Sequence, residues 1–240
     1  MKIPNRIWFS FLALLLWISM FAQKGSSAIE KYEKILEANT RLLTDKEQLL
    51  VVFSKNDTTS KAVLAAFEKK NGHWQVRFNP VIASIGKNGF AGADEKMEGD
   101  NKTPSGLFYL GQLFSYEASV KTTLPFIQST ADDKWIDDPA SSDYNKYVRG
   151  KTEAKSFEHL LLKNIDYKYC MVIEYNTRPV VKGKGSAIFF HLTDAWYAPT
   201  AGCVAVQEKD MLRILQWLRP GPKKAILMGT EKMLITGYEK

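Results

Sequence analysis

The sequence predicts a mainly β protein with peripheral helices, built as a β-sandwich or open barrel. Short apolar or alternating runs recur along the chain, separated by Gly, Pro, Asn and Asp. Three or four helical patterns fall between strands without regular strand–helix alternation, which excludes a doubly wound dinucleotide-binding sheet. The glycine runs Gly86-Lys-Asn-Gly89 and Gly99-Asp-Asn-Lys-Thr-Pro-Ser-Gly106 lack the Gly-Lys-Ser/Thr ending of a phosphate loop, and no helix follows them.

In chain order, Lys2 and Arg6 precede an apolar run from Ile7 to Ala22 that reads as a secretory signal peptide over residues 1–22, with cleavage after Ala22. A retained anchor helix is the alternative, although sixteen residues are short for a span of about 20. No cysteine near the cleavage point offers a lipid anchor, and no stable membrane span remains after cleavage. Residues 23–47 form a helical lead-in. From Ser27 to Thr44, the side chains of Ile29, Tyr32, Ile35, Leu36, Leu42 and Leu43 fall mostly on one helical face. Residues 48–240 form one further domain. It opens with a strand from Leu49 to Phe53, followed by a helix capped at Asp57 or Thr58 and running to Lys70, with Asn71-Gly72 as its stop. Trp74, Val76 and Phe78 alternate as a strand. Further strands are expected at Val81 to Ile85, Gly106 to Gly111, Leu124 to Ser129, Cys170 to Tyr175, Ala187 to Leu192 and Val204 to Val206. Thr152 to Lys163 reads as a helix with Phe157, Leu160 and Leu161 on its face. Glu208 to Leu218 reads as another, stopped by Pro220-Gly221, and Lys224 to Met228 closes the fold as a strand.

The formal charge of +7 falls to +5 once Lys2 and Arg6 are removed. A moderately basic exported chain suits an acidic or polyanionic partner, or simply remains soluble through its lysines. No basic helix, aromatic–basic interleaving or zinc-finger spacing points to nucleic acid.

The chemistry concentrates in Ser186-Ala-Ile-Phe-Phe-His191 and Thr200-Ala-Gly-Cys203-Val-Ala-Val206. A histidine ends one strand-like run, and a cysteine twelve positions later starts another. Two strands joined by such a loop can set an imidazole beside a thiol, the minimum for a cysteine nucleophile, because the thiolate is the reactive species. A Cys170–Cys203 disulfide is the rival reading in an oxidising compartment. Against it, Cys170 sits in the apolar run Tyr169-Cys-Met-Val-Ile173, where a thiol acts as a small hydrophobe. His191 and Cys203 with Asp194 make a poor zinc set. His73 and His159 read as surface or packing residues. Asp137, Asp138 and Glu98 include an Asp-Asp-Pro that more often builds a turn than an acid pair.

These segments resemble the L,D-transpeptidase (YkuD-type) family of bacterial cell-wall enzymes. The likeness extends to Ile85-Gly-Lys-Asn-Gly89, Lys96-Met-Glu-Gly-Asp100, Lys102-Thr-Pro-Ser-Gly106, Trp135-Ile-Asp-Asp-Pro139, Ser142-Asp-Tyr-Asn145 and Gly183-Lys-Gly-Ser186, in that order. It spans about Leu49 to Met228 and leaves the helix Ser27 to Thr44 outside. The resemblance implies a YkuD-like β-fold and a peptidoglycan L,D-transpeptidase with no metal or organic cofactor. It also implies peptidoglycan stem peptides as partners and a periplasmic or cell-envelope location. Cys203 would be the nucleophile and His191 the general base, later the acid. Gly202 lets the substrate carbonyl approach the backbone, and the N–H groups of Gly202 and Cys203 are candidate oxyanion donors. Thr200, Ser186, Lys102, Tyr144 and Arg149 are candidate substrate-binding residues, although Tyr144 and Arg149 also read as a solvated surface. One departure stands out. The best-known members carry a second histidine two positions before the cysteine, where this chain has Ala201. That leaves open the choice between transfer to an amine and hydrolysis by water. A non-catalytic peptidoglycan-binding module is the alternative from another class, but it has no need of the His191–Cys203 pair.

Overall fold

The computed structural model describes residues 29–194, 196–221 and 223–238. The signal-peptide reading of residues 1–22 lies outside them. Among the described residues no helix is long and apolar enough to cross a membrane.

Residues 29–38 form helix α1, and turns continue to residue 45. Twelve strands and two helices follow. The strands are β1 (Gln48–Ser54), β2 (Lys61–Lys70), β3 (His73–Ser84), β4 (Gly106–Ser115), β5 (Phe126–Gln128), β6 (Asp133–Ile136), β7 (Tyr147–Arg149), β8 (Phe157–His159), β9 (Tyr169–Ile173), β10 (Phe189–Leu192), β11 (Val204–Val206) and β12 (Lys224–Thr230). The helices are α2 (Glu208–Trp217) and α3 (Glu231–Thr236). The main sheet runs β12-β1-β2-β3-β11-β10-β9-β4-β5, and β12 also pairs with β4. That pairing joins Ala225 to Tyr109 and Met228 to Gly106, closing eight strands into a barrel-like ring with β5 appended. Closure removes the exposed edges of an open sheet. A small sheet, β7-β6-β8, lies outside the ring.

Three apolar clusters follow from this arrangement. The ring interior holds Leu50, Leu64, Ile85, Phe190 and Val204, together with Met211, Ile214 and Leu215 of α2. A second cluster places Ile35 of α1 and Leu234 of α3 against Leu49, Val51, Ala65 and Phe67. The third packs Trp135 and Leu160 of the small-sheet region onto Cys170, Val172, Phe189 and Cys203.

Two expected helices are strands. Lys61 to Lys70 has helix-favouring composition, yet Leu64 and Ala66 face the interior cluster while Ala65 and Phe67 face the second. Burial on both faces between β1 and β3 overrides local propensity. Around Phe157, Leu160 is buried and Leu161 exposed, the alternation of an extended chain, and Phe157 to His159 pair with β6. The two runs expected on either side of Pro80 are one long strand, β3. Strands β6 and β7 and helix α3 had no sequence expectation.

The small sheet is organised by Asp133, which is fully buried. Its carboxylate accepts from the Thr130 N–H (2.7 Å) and hydroxyl (2.9 Å), the Tyr147 hydroxyl (2.5 Å), and Nε and Nη2 of Arg149 (2.6 and 3.0 Å). Burial alone raises this carboxyl, but the Arg149, Tyr147 and Thr130 donors outweigh it and hold it well below the usual carboxylate range. A depressed pKa adds stability that is present above about pH 4 and is lost as pH falls further. Asp133→Asn is therefore expected to destabilise the protein by about 2–3 kcal/mol at neutral pH and by less in acid, read from denaturant midpoints at both. An equal loss at both would show that the charge contributes nothing.

Candidate active site

His191 lies on β10 and Cys203 immediately precedes β11, and the two strands pair in parallel with His191 opposite Ala205. Side chains alternate, so Phe189 and His191 share one face of β10, with Cys203 and Ala205 on the matching face next door. His191 and Cys203 line the same cavity, of about 530 Å³. Both cysteines are free.

Cys203 is only 7 % exposed, so the sulfur is less accessible than its position after a glycine suggests. Its Sγ accepts from the Phe189 N–H and donates to the Ala187 carbonyl, each at 3.3 Å. Burial pushes the thiol up to about 12; the Phe189 N–H opposes that rise, Glu158 adds to it and Lys96 opposes it. His191 Nδ1 lies 2.8 Å from the Leu192 carbonyl. A carbonyl only accepts, so Nδ1 carries the proton and Nε2 is the nitrogen able to take one. Burial lowers the imidazole pKa, opposed by its contacts with Leu192 and Asp166. At neutral pH the resting pair is a thiol and a neutral imidazole. No hydrogen bond joins them directly among the described residues.

Gly202 adopts φ +147, and a Cβ there would stand 2.9 Å from the Lys102 carbonyl. Both facts favour glycine. Its N–H donates to Thr200 Oγ1 at 3.2 Å, so of the two candidate oxyanion donors only that of Cys203 is outside this turn. Thr200 Oγ1 also donates to the Cys203 carbonyl at 2.7 Å, so Thr200 braces the cysteine loop. Ser186 lines the cavity and donates to Glu98 Oε2 at 2.7 Å. Tyr144 is almost fully buried, not on a solvated surface, and its hydroxyl donates to the same Glu98 oxygen. Lys102 contributes backbone: its N–H donates to Asp100 (2.8 Å) and its carbonyl faces Gly202. Arg149 lies on β7, paired with Asp133 and outside the cavity lining. The Asp-Asp-Pro run is a turn at Asp138, which accepts from the N–H groups of Ala140 and Lys155 at 2.9 Å each. Asp137 lines the cavity. Among the described residues no group of three or more His, Cys, Asp or Glu is placed to hold a metal.

Two residues missed as individuals position the site. Thr103, fully buried, accepts from the Gly86 N–H (2.8 Å) and donates to the Cys203 carbonyl (3.3 Å). Asn145 Oδ1 accepts from Trp135 Nε1 (2.8 Å) and the Ala187 N–H (3.1 Å), while its Nδ2 donates to Tyr175 and Asn176. It thereby fixes Ala187, whose carbonyl meets the thiol. Both residues stand in segments that carry the family likeness, next to residues that were singled out.

The chain matches the L,D-transpeptidase catalytic domain (YkuD) over residues 48–227, three quarters of its length, and belongs to that family. No curated protein matches it. Among solved structures it is similar to the helical cell shape determining protein Pgp2 from Campylobacter jejuni, at 14 % identity and a TM-score of 0.42, covering 83 % of this chain and 55 % of that one. A lysine-to-alanine mutant of Pgp2 gives 14 % identity and a TM-score of 0.39, covering 83 % and 54 %. This chain thus spans about half the length of those proteins.

A buried thiol with a raised pKa has a specific signature. Alkylation of Cys203 in the resting protein is expected to rise roughly tenfold per pH unit between about pH 7 and about pH 10, with Cys170 unlabelled, as mass mapping would show. A rate already level above about pH 8 would mean that the thiolate is preformed.

Proposed function

We propose that this protein is an exported cell-envelope L,D-transpeptidase acting on peptidoglycan stem peptides. The observation that carries the reading is the placement of Cys203 and His191 on adjoining elements at one cavity, with Nδ1 pinned to a carbonyl. Family membership supports the substrate class, and the N-terminal run Ile7 to Ala22 supports export.

In this reading a tetrapeptide stem enters the cavity with its scissile carbonyl over Sγ. His191 Nε2 takes the thiol proton as sulfur attacks the carbonyl carbon. The Cys203 N–H faces the developing oxyanion. Collapse breaks the C–N bond, His191 returns the proton to the leaving amine, D-alanine departs and a thioester remains. An incoming amine then attacks the thioester carbonyl as His191 takes its proton, the C–S bond breaks, and His191 returns that proton to Cys203. Ala201 lines the cavity and is exposed, which leaves room for water beside the thioester. That supports hydrolysis as a second fate, giving a carboxypeptidase on the same Cys–His site.

Mature protein incubated with muropeptides and followed by mass spectrometry tests both fates. Cross-linked dimers mark transfer and trimmed monomers mark hydrolysis. Cys203→Ala is expected to abolish either product with the fold intact, and His191→Ala to slow it by about 10²-fold or more. Turnover by Cys203→Ala at the wild-type rate would overturn the thiol mechanism.

Ala201→His is expected to shift the ratio of transfer to hydrolysis more than the rate of thioester formation, because the new group would stand at the exposed rim where the acceptor arrives. Rapid-quench acylation and product ratios, with and without added amine, check this. Slower acylation at an unchanged ratio would refute it.

A further inference from the structure

The cavity that holds Cys203 and His191 is lined by five carboxylates, Glu98, Asp137, Glu158, Asp166 and Asp194. Lys96 is the one lysine or arginine among the described residues of its wall. Lys96 is thus the one cationic side chain that this wall offers to an anionic group.

Lys96 is only 4 % exposed, unusual for a lysine. Its ammonium donates to Asp100 Oδ1 at 2.7 Å and to the Met97 carbonyl at 2.8 Å. An ammonium has three N–H donors, and these two bonds use two of them. Among the described residues no protein acceptor takes the third. The Asp100 carboxylate is shared, since it also accepts from the N–H groups of Met97 (2.9 Å) and Lys102 (2.8 Å). Gly185 keeps the surrounding space open. A Cβ there would stand 3.1 Å from Lys96 Cγ and 3.2 Å from its Cε and Nζ. The ammonium is therefore held by two acceptors, given room by a glycine and left with one donor for a ligand.

We propose that Lys96 receives the terminal carboxylate of the stem peptide and so fixes which way the peptide lies across Cys203. The inference rests on the peptide-substrate reading above and adds a requirement for a free C-terminal carboxylate on the leaving residue. Lys96 also opposes the rise in the Cys203 pKa, which places its charge within electrostatic reach of the sulfur, as a group binding the residue just beyond the scissile bond must be.

The test uses Cys203→Ala protein, which cannot turn substrate over, titrated calorimetrically with a stem tetrapeptide ending in a carboxylate and with the same peptide ending in a carboxamide. The acid is expected to bind about 10- to 100-fold more tightly, the scale of a charge-assisted hydrogen bond in a partly desolvated site. Lys96→Met in the same background should remove that preference by weakening acid binding far more than amide binding, and Lys96→Arg should restore part of it. If Lys96→Met fails to fold because Asp100 is left unpaired, the acid–amide comparison on protein with Lys96 intact still decides. Equal binding of acid and amide overturns the inference, as does an equal loss for both in Lys96→Met. Protein with Cys203 intact separates the two readings. Muropeptide turnover with equal kcat/KM for acid and amide defeats the Lys96 role alone, whereas no turnover and no binding of either peptide defeats the proposed function and this inference together.

Discussion

The site depends on how the carbonyl of Cys203 is held. Two threonine hydroxyls donate to it, Thr200 from its own loop and Thr103 from a segment a hundred residues earlier. The Thr103 hydroxyl also accepts from Gly86, so one side chain ties the end of the β3 region to the cysteine. Backbone bonds complete the seam. The Thr200 N–H donates to Ile85, the Lys87 N–H to Thr200, and the Thr103 N–H to Gly89. Three separated segments are thereby stitched into one rigid edge of the barrel. Gly86 has to be glycine for the approach, since a Cβ there would lie 2.5 Å from the Asn101 carbonyl. With the Cys203 backbone fixed, Sγ has a defined direction, and the Phe189 N–H and Ala187 carbonyl are where it ends.

The second constraint comes from outside the barrel. Trp135 packs edge-on against Phe189 at 5.4 Å between ring centres, and its indole N–H donates to Asn145. Tyr167 meets both Phe189 and His191 edge-on, at 5.6 and 5.2 Å. The small sheet and the 160s loop therefore make the wall that desolvates the thiol and the imidazole. Their packing sets the titration of both groups, since burial is the leading cause of each shift.

Much of this was legible in the sequence, for physical reasons that also explain the failures. His191 lies within one short buried strand and Cys203 immediately before another, and the apolar residues around each mark both strands in the sequence. Lys61 to Lys70 misled because Ala, Leu, Glu and Lys favour helix locally, and only the two clusters that it separates make it a strand. Strands β6 and β7 are three or four residues long and held by Asp133, so no periodicity announces them. Thr103, Asn145 and Lys96 lie in quoted segments, yet their roles depend on contacts across long sequence separations. Residue type cannot tell Lys102, which is outside the cavity lining, from Lys96, which is part of it.

The same burial that positions the pair determines how it can react. The thiol is pushed up to about 12 and the imidazole is lowered, so neither group readily ionises against solvent. Losing a proton from Cys203 to water would leave an anion beside Glu158, whose own pKa is raised first by burial and then by Asp137. Gaining a proton from water would leave a buried imidazolium. Moving one proton from Sγ to Nε2 creates both charges together, in a region of low dielectric where each compensates the other. Desolvation opposes each separate ionisation more than it opposes a coupled transfer, so ionisation within the pair is the less costly route. A site built this way holds the Cys203 thiol protonated at rest. The Ala187 carbonyl, which accepts the resting S–H, is the contact that this transfer must break. Asn145, which accepts from the Ala187 N–H, helps to hold that carbonyl in place while touching neither the thiol nor the imidazole in the network described.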